Sequence, residues 1–221
     1  MTTCQNTLST LKGKDFLIKA GNGFAGDVTF TTGTDLVGAV DHGLSDGDQI
    51  VFATVVTTTS LAIDTVYYVV TATASTFQVA LTEGGTPIAI DADGTGTADE
   101  YFRALGGIQD GSISFAAEAQ EITNSLSNEF REYLDKAGVR SMTVSGSGLA
   151  VDDWGSEKLR ALLLNNCLWR FQICLFTDGT TVKYWEGCYK LTGQEQGGAY
   201  NAAQTFSLTL ESSGEFAYNE V

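Results

Sequence analysis

Ser141-Met142-Thr143-Val144-Ser145 alternates polar with apolar residues. An extended chain written this way buries one side and shows the other to water. The same period of two recurs in Ser112-Ile113-Ser114-Phe115-Ala116-Ala117-Glu118 and in Thr205-Phe206-Ser207-Leu208-Thr209-Leu210-Glu211. It gives way once. From Trp154 to Leu168, the residues Leu159, Leu162, Leu163 and Cys167 fall at helical spacing as one apolar stripe. Asp152 or Asp153 suits the N-cap of that helix. Asp15 to Ala20 reads as an opening strand. Arg170 to Phe176 and Thr181 to Trp185 read as two more, joined at Asp178-Gly179. The fold class that follows is mainly β with one helix.

The charge is uneven. The chain has 221 residues, 12 Lys plus Arg, 27 Asp plus Glu and a net charge of −15. Such a balance argues against a sequence-independent nucleic-acid binder or a polybasic membrane contact. Between Asp27 and Glu100 there are 11 acids and no Lys or Arg, so most of the negative charge sits there. The only His (His42) and the only Pro (Pro87) fall in this segment, and all four Cys and all three Trp fall outside it. A shift this sharp at both ends predicts an inserted domain. The insert reads as all-β, with strands at Gln49 to Val55, Val66 to Val70, Phe77 to Leu81 and Thr86 to Ile90. Pro87 puts the last of these at an edge or at its own start.

No apolar run reaches the roughly 20 residues a membrane helix needs, and nothing in Met1-Thr2-Thr3-Cys4-Gln5-Asn6 marks export. Cys4, Cys167, Cys174 and Cys188 show no CxxC spacing and read as reduced thiols. Cys4, near the terminus, is the candidate for a bridge to a neighbouring subunit.

Motifs that carry chemistry are weak. Gly21-Asn22-Gly23-Phe24-Ala25-Gly26 has the GxGxxG spacing, but Val28-Thr29-Phe30-Thr31 after it is β-prone. A dinucleotide site needs a helix to open there, so a flexible junction is expected instead. Asp91-Ala92-Asp93-Gly94-Thr95-Gly96 starts like a calcium loop, yet Phe102 stands where a bidentate Glu is required. Ser147 lacks the glycine of a nucleophile elbow at position 145, and a lone His42 in the insert is poorly placed to serve it. No catalytic residue, no metal site and no cofactor is expected.

The segment from Glu121 to Arg140 links two alternating strands by about twenty residues, far beyond the usual 2–5 of a hairpin. It carries both charge signs with Phe130, Tyr133 and Leu134, which marks a candidate protein interface.

Three stretches carry a family resemblance. They are Lys12-Gly13-Lys14-Asp15-Phe16-Leu17-Ile18-Lys19, Leu105-Gly106-Gly107-Ile108-Gln109-Asp110-Gly111-Ser112-Ile113-Ser114-Phe115, and the run from Phe130-Arg131-Glu132-Tyr133-Leu134 through Gly138 to Gly148. The last is followed by a helix that starts in acids. In this order they resemble phage major tail tube proteins: an opening strand, a second strand, a long hairpin loop with its return strand, and a single helix. The resemblance covers about residues 10–26 and 101–215. It implies a tail-tube-type β-sandwich or barrel with one flanking α-helix and a long hairpin loop. The inserted small all-β domain is the departure. Its Gly-Leu-Ser-Asp-Gly-Asp and Tyr-Tyr-Val-Val patterns resemble small β modules on other phage structural proteins. The expected division is 1–26 and 101–221 for the tube core and 27–100 for the insert, placed on the tube exterior.

The resemblance further implies a non-enzymatic structural protein of the virion, made in the host cytoplasm. It would form a homo-oligomeric ring, commonly hexameric, stacked into a hollow tube. It would meet other tail proteins and the passing DNA, and no membrane. In such tubes the inner sheets of neighbouring subunits join into one barrel, which removes open sheet edges. Ser112, Ser114, Glu118 and Gln120, Thr143 and Ser145, and Ser207, Thr209 and Glu211 are then expected to face the channel, with no Lys or Arg among them to hold phosphate. Ordinary solvent-facing positions are the plain alternative. Phe130, Tyr133 and Leu134 are expected to pack on the next ring or the neighbouring protomer, with Arg131, Lys136 and Arg140 pairing with acids there. A loop folded onto its own sheet is the alternative. A carbohydrate- or surface-binding β module is the rival reading of the whole chain.

Overall fold

The structure is a computed structural model that describes residues 16–124, 127, 130–177 and 182–220. A short strand β1 (Leu17–Ala20) leads into β2 (Ala25–Thr31), β3 (Leu36–Gly38), β4 (Gln49–Val56), β5 (Val66–Val70), β6 (Thr76–Ala80) and β7 (Gly94–Glu100). Then come β8 (Arg103–Ala104), β9 (Ile108–Ala117), β10 (Arg140–Leu149), helix α1 (Trp154–Asn165), β11 (Leu168–Thr177), β12 (Val182–Gly197) and β13 (Thr205–Glu220). Strands β2 to β7 close a barrel in the order β2-β3-β6-β5-β4-β7, and the others form one sheet, β8-β1-β11-β12-β13-β10-β9.

The barrel has its own core of Val28, Phe30, Val37, Ile50, Phe52, Val69 and Phe77. Phe30 and Phe52 meet edge to face at 5.4 Å, a favoured aromatic geometry. Thr86 to Ile90 is not a strand. The Ile88 N–H donates to the Val79 carbonyl at 2.8 Å and the Ile90 N–H to Asp35 Oδ1 at 2.8 Å, but Pro87 has no N–H to continue a ladder. The barrel is closed by β7 instead, whose Gly94-Thr95-Gly96-Thr97 gives little hydrophobic signal. Those glycines are what allow the closure. A Cβ on Gly94 would stand 2.1 Å from the Val56 carbonyl oxygen, and one on Gly96 2.3 Å from that of Thr54.

The seven-stranded sheet curls over its own core of Ile18, Met142, Val144, Phe171, Ile173, Tyr189, Leu208 and Leu210. Strands β9 and β12 are three strand spacings apart, about 14 Å on a flat sheet. Yet the Phe115 and Trp185 rings, on those strands, lie 5.1 Å apart across the concave side. Burial pushes the Tyr189 hydroxyl well above the ordinary phenol range.

Helix α1 begins at Asp153, whose carboxylate accepts the Ser156 N–H at 3.0 Å. It seats Leu159 and Leu162 on the sheet. It is shorter than its periodicity suggests: Asn166 turns left-handed at φ 51° and ends it. Leu163, though within the helix, is 43% exposed, and Cys167 lies in the connection. β12 and β13 run 16 residues each, much longer than the alternating stretches that mark them.

Candidate assembly surfaces

The register brings most of the expected channel-facing residues together. Ser114, Thr143 and Glu211 form one row across β9, β10 and β13, and Ser112, Ser145 and Thr209 form the next. Ser207 pairs with Ser147 one step further on. Their neighbours in sequence, Met142, Val144, Leu208 and Leu210, are buried on the opposite face. Glu118 and Gln120 lie beyond the end of β9, where the Glu118 N–H donates to Val139 at 3.0 Å and the Gln120 carbonyl accepts from Leu134 at 2.8 Å.

Strand β12 widens this face, and sequence reasoning missed it. Lys190 pairs with Glu211 and Glu195 with Ser207. The polar wall thus includes one lysine, set beside the acid that balances it. The missing signal is the bulge pattern of β12, whose register shifts between Gly187 and Tyr189 and again between Leu191 and Gly193. These shifts break the simple alternation.

Two edges of this four-stranded region are open. β9 has β10 as its one ladder partner among the described residues. β11 pairs with β12 only as far as Leu168 with Lys190. Among the described residues, Leu191 to Gly197 of β12 therefore pairs with β13 alone.

The segment between β9 and β10 is an extended arm rather than a loop laid on the sheet. Glu121 bridges to Tyr133, and the Ile122 N–H donates to Glu132 at 3.0 Å, continuing the hairpin. Near its turn, the Ser127 hydroxyl donates to Glu132 Oε2 at 2.8 Å and the Phe130 N–H to the Ser127 carbonyl at 2.9 Å. Phe130 is 75% exposed, and Tyr133 and Leu134 are about half exposed. Arg131 sits 3.7 Å from Glu121 within the arm itself. Lys136 and Arg140 are exposed. Cys4 lies outside the described residues, as do Asp178 and Gly179.

Gly21 to Phe24, expected as a flexible junction, is tied down on both sides. Asn22 Nδ2 donates to the Gln49 carbonyl at 2.6 Å, and the Gly23 N–H donates to Glu100 Oε2 at 2.8 Å. The Trp169 indole donates to the Gly21 carbonyl at 2.6 Å. No helix opens after the glycines, so no phosphate cradle forms. Glu100 is buried and pairs with Arg170 at 2.5 Å; Arg170 also pairs with Glu186. Trp154 Nε1 reaches Asp48 Oδ1 at 3.3 Å. Lys158 lies 3.9 Å over the Trp169 ring, and burial lowers its pKa. The barrel thus meets the sheet through charged and aromatic contacts.

The carboxylates that suggested a cation are spent on loops. Asp91 accepts from the hydroxyls of Thr58 and Thr59 and from the Thr59 and Ser60 N–H groups, which holds its pKa below the ordinary range. Asp93 accepts the Thr32 N–H at 2.7 Å. His42 is buried in the barrel, where its Nδ1 accepts the Leu44 N–H at 3.0 Å.

The family model described as phage tail tube protein matches residues 88–218, more than half of the chain. The chain belongs to the phage tail tube protein family. The match takes in β7 to β12, the arm, α1 and nearly all of β13, but not β1. Two solved structures are similar. One is described as the tail of an empty gene transfer agent particle with C6 symmetry, at 28% identity and a TM-score of 0.49, covering 53% of this chain and 86% of that one. The other is the virion of a native gene transfer agent particle, also at 28% identity and TM-score 0.49, covering 53% and 88%. No curated protein matches the chain. As a tail tube protein it is a structural component of the virion, self-assembling into the stacked rings of the tail tube.

Proposed function

We propose that the ring closes by β-sheet pairing, with β9 of one subunit adding to Leu191–Gly197 of β12 in the next. The open edges on either side of the four-stranded face carry this reading. Successive strands from β9 to β12 are antiparallel, so β9 and β12 run in opposite directions and a repeated subunit can extend the ladder without a break. Six subunits would contribute 24 strands. At about 4.8 Å per strand and a tilt near 40°, that barrel is about 50 Å across, backbone to backbone, which leaves room for a DNA duplex. The face carrying Ser112, Ser145, Thr209 and Glu211 then lines the channel. Its hydroxyls and excess of acids, with Lys190 set beside Glu211, offer passing phosphates no net cationic brake.

The barrel of β2 to β7 stands on the outside of the tube, because a bulky acidic module inside would obstruct the channel. The chain acts without catalysis, is made in the host cytoplasm, and contacts other tail proteins at the tube ends. The test is to place Ser145→Lys and Thr209→Lys separately in the phage. Tubes should form, and DNA delivery should slow in a salt-dependent way. Normal delivery by both variants would remove the channel assignment.

A further inference from the structure

Lys190 stands on the polar face without a partner. It shares the row of Ser114, Thr143 and Glu211. Among the described residues, Arg103, Arg131, Arg170 and Lys183 reach carboxylates and Lys190 does not. One acid is in the same position. Glu118 is exposed and follows Ala117, the last residue of β9. Alternation sets it on the face of Ser112 and Ser114. Its carboxylate has no ion pair or hydrogen bond among the described residues.

A closed ring brings the two together. Barrel strands are tilted, so a row that leaves one subunit enters the next at a different residue. Four strands span about 19 Å, and a tilt of about 35–45° turns that into a slip of about four to six residues. The slip must be even, because an odd one would turn hydroxyls toward the core and apolar side chains toward the channel. A slip of ~4 lays Leu191–Gly197 of β12, with Thr192 in its bulge, against Ala117 to Ser112 of the neighbour. All of that stretch lies inside β9. A slip of ~6 runs past the end of β9, and the opposite slip runs off its start. The row of Lys190 then ends on Glu118.

We propose that Glu118 of one subunit pairs with Lys190 of its ring neighbour and so fixes the register at which the ring closes. This rests on β9 adding to β12 as proposed above, and names the residues that set its register. An exposed ion pair adds little stability; its weight lies in specificity. Other even slips set Lys190 against Ser114, Ala116 or Gln120, none of which can neutralise it. The pair also leaves Lys190 between two acids, Glu211 and the neighbour's Glu118, so no lone cation faces the channel.

The test uses full-length protein. Lys190→Glu and Glu118→Lys each place like charges across the seam. Each should lose most of its rings on sizing at low salt and regain part of them at high salt. The double variant, with the charges exchanged, should form rings as the wild type does. Singles that assemble normally, or a double variant no better than the singles, would overturn the pair. A second measurement reads the register itself. Glu195→Cys is combined in turn with Ser114→Cys, Asp110→Cys or Ala116→Cys, with Glu195→Cys alone as the control for native thiols. Only the Ser114 combination should give a ladder of disulfide-linked oligomers on non-reducing gels. A ladder from Asp110 or Ala116 instead would keep the strand pairing and overturn the Glu118–Lys190 pair. No ladder from any combination would take away the β9–β12 pairing and the ion pair with it.

Discussion

At Glu100, burial works against charge. Desolvation pushes its carboxyl above the ordinary value of 4.5, while the Gly23 N–H and Arg170 pull it back. The Arg170 side chain is 45% exposed, so solvent screens its pull and burial wins. The folded chain then holds this proton more tightly than the unfolded one. The favourable contribution of Glu100 is complete below pH 4.5 and is lost as pH rises through its folded value. Thermal melts at a series of pH values above that point should show the wild type losing ground to Glu100→Gln. Parallel profiles would mean that Glu100 titrates normally. Gly21 belongs to the same contact: a Cβ there would stand 2.0 Å from Glu100 Oε2. The glycine that suggested a phosphate loop in the sequence is needed because a buried carboxylate occupies the space beside it.

Helix α1 was legible because its signals are local. Asp153 caps it as its place before the apolar stripe implies, and Asp153→Ala should cost about 1 kcal/mol in chemical denaturation. The strands of the polar face were legible too, since alternation sets the face wherever one side is buried. What the sequence hid has physical causes. β7 is written in Gly and Thr because its neighbours' carbonyls come too close for side chains. The far half of β13 pairs with β12 across a shift that leaves Ser213 to Glu215 without register partners, which ends the alternation seen up to Glu211. The arm read as a loop because its pairing is sparse; its aromatics, expected to make a contact surface, are exposed. Deleting residues 124–136 should leave a soluble folded protein that makes no tubes, as judged by sizing and microscopy. Tubes of normal length would show that the arm is dispensable.

Over the whole molecule, the net charge of −15 resolves into two parts. The stretch from Asp27 to Glu100 carries eleven acids and no Lys or Arg, and it forms nearly all of the closed barrel. The remainder is close to balance. On the face assigned to the channel, Lys190 is register-paired with Glu211. Standing outside the tube as proposed, an acidic module would keep tubes apart in solution through like-charge repulsion. Removing residues 27–100 should therefore leave rings able to stack while making the tubes thinner and more prone to bundle at low salt. Loss of ring formation would mean that the barrel takes part in assembly.

The boundary of the barrel is visible in composition, but its attachment through Glu100, Trp154 and Trp169 is not, because those residues meet only after folding. The central claim is that the hydroxyl-lined face of β9, β10, β13 and β12 is the inner wall of the tube. An electron cryo-microscopy reconstruction of the assembled tube tests it most directly. The account predicts Ser145 and Thr209 facing an open channel, β9 paired with the neighbouring β12, and the β2–β7 barrel projecting outward. A channel lined by the barrel, or that serine and threonine face turned to the outside, would contradict it.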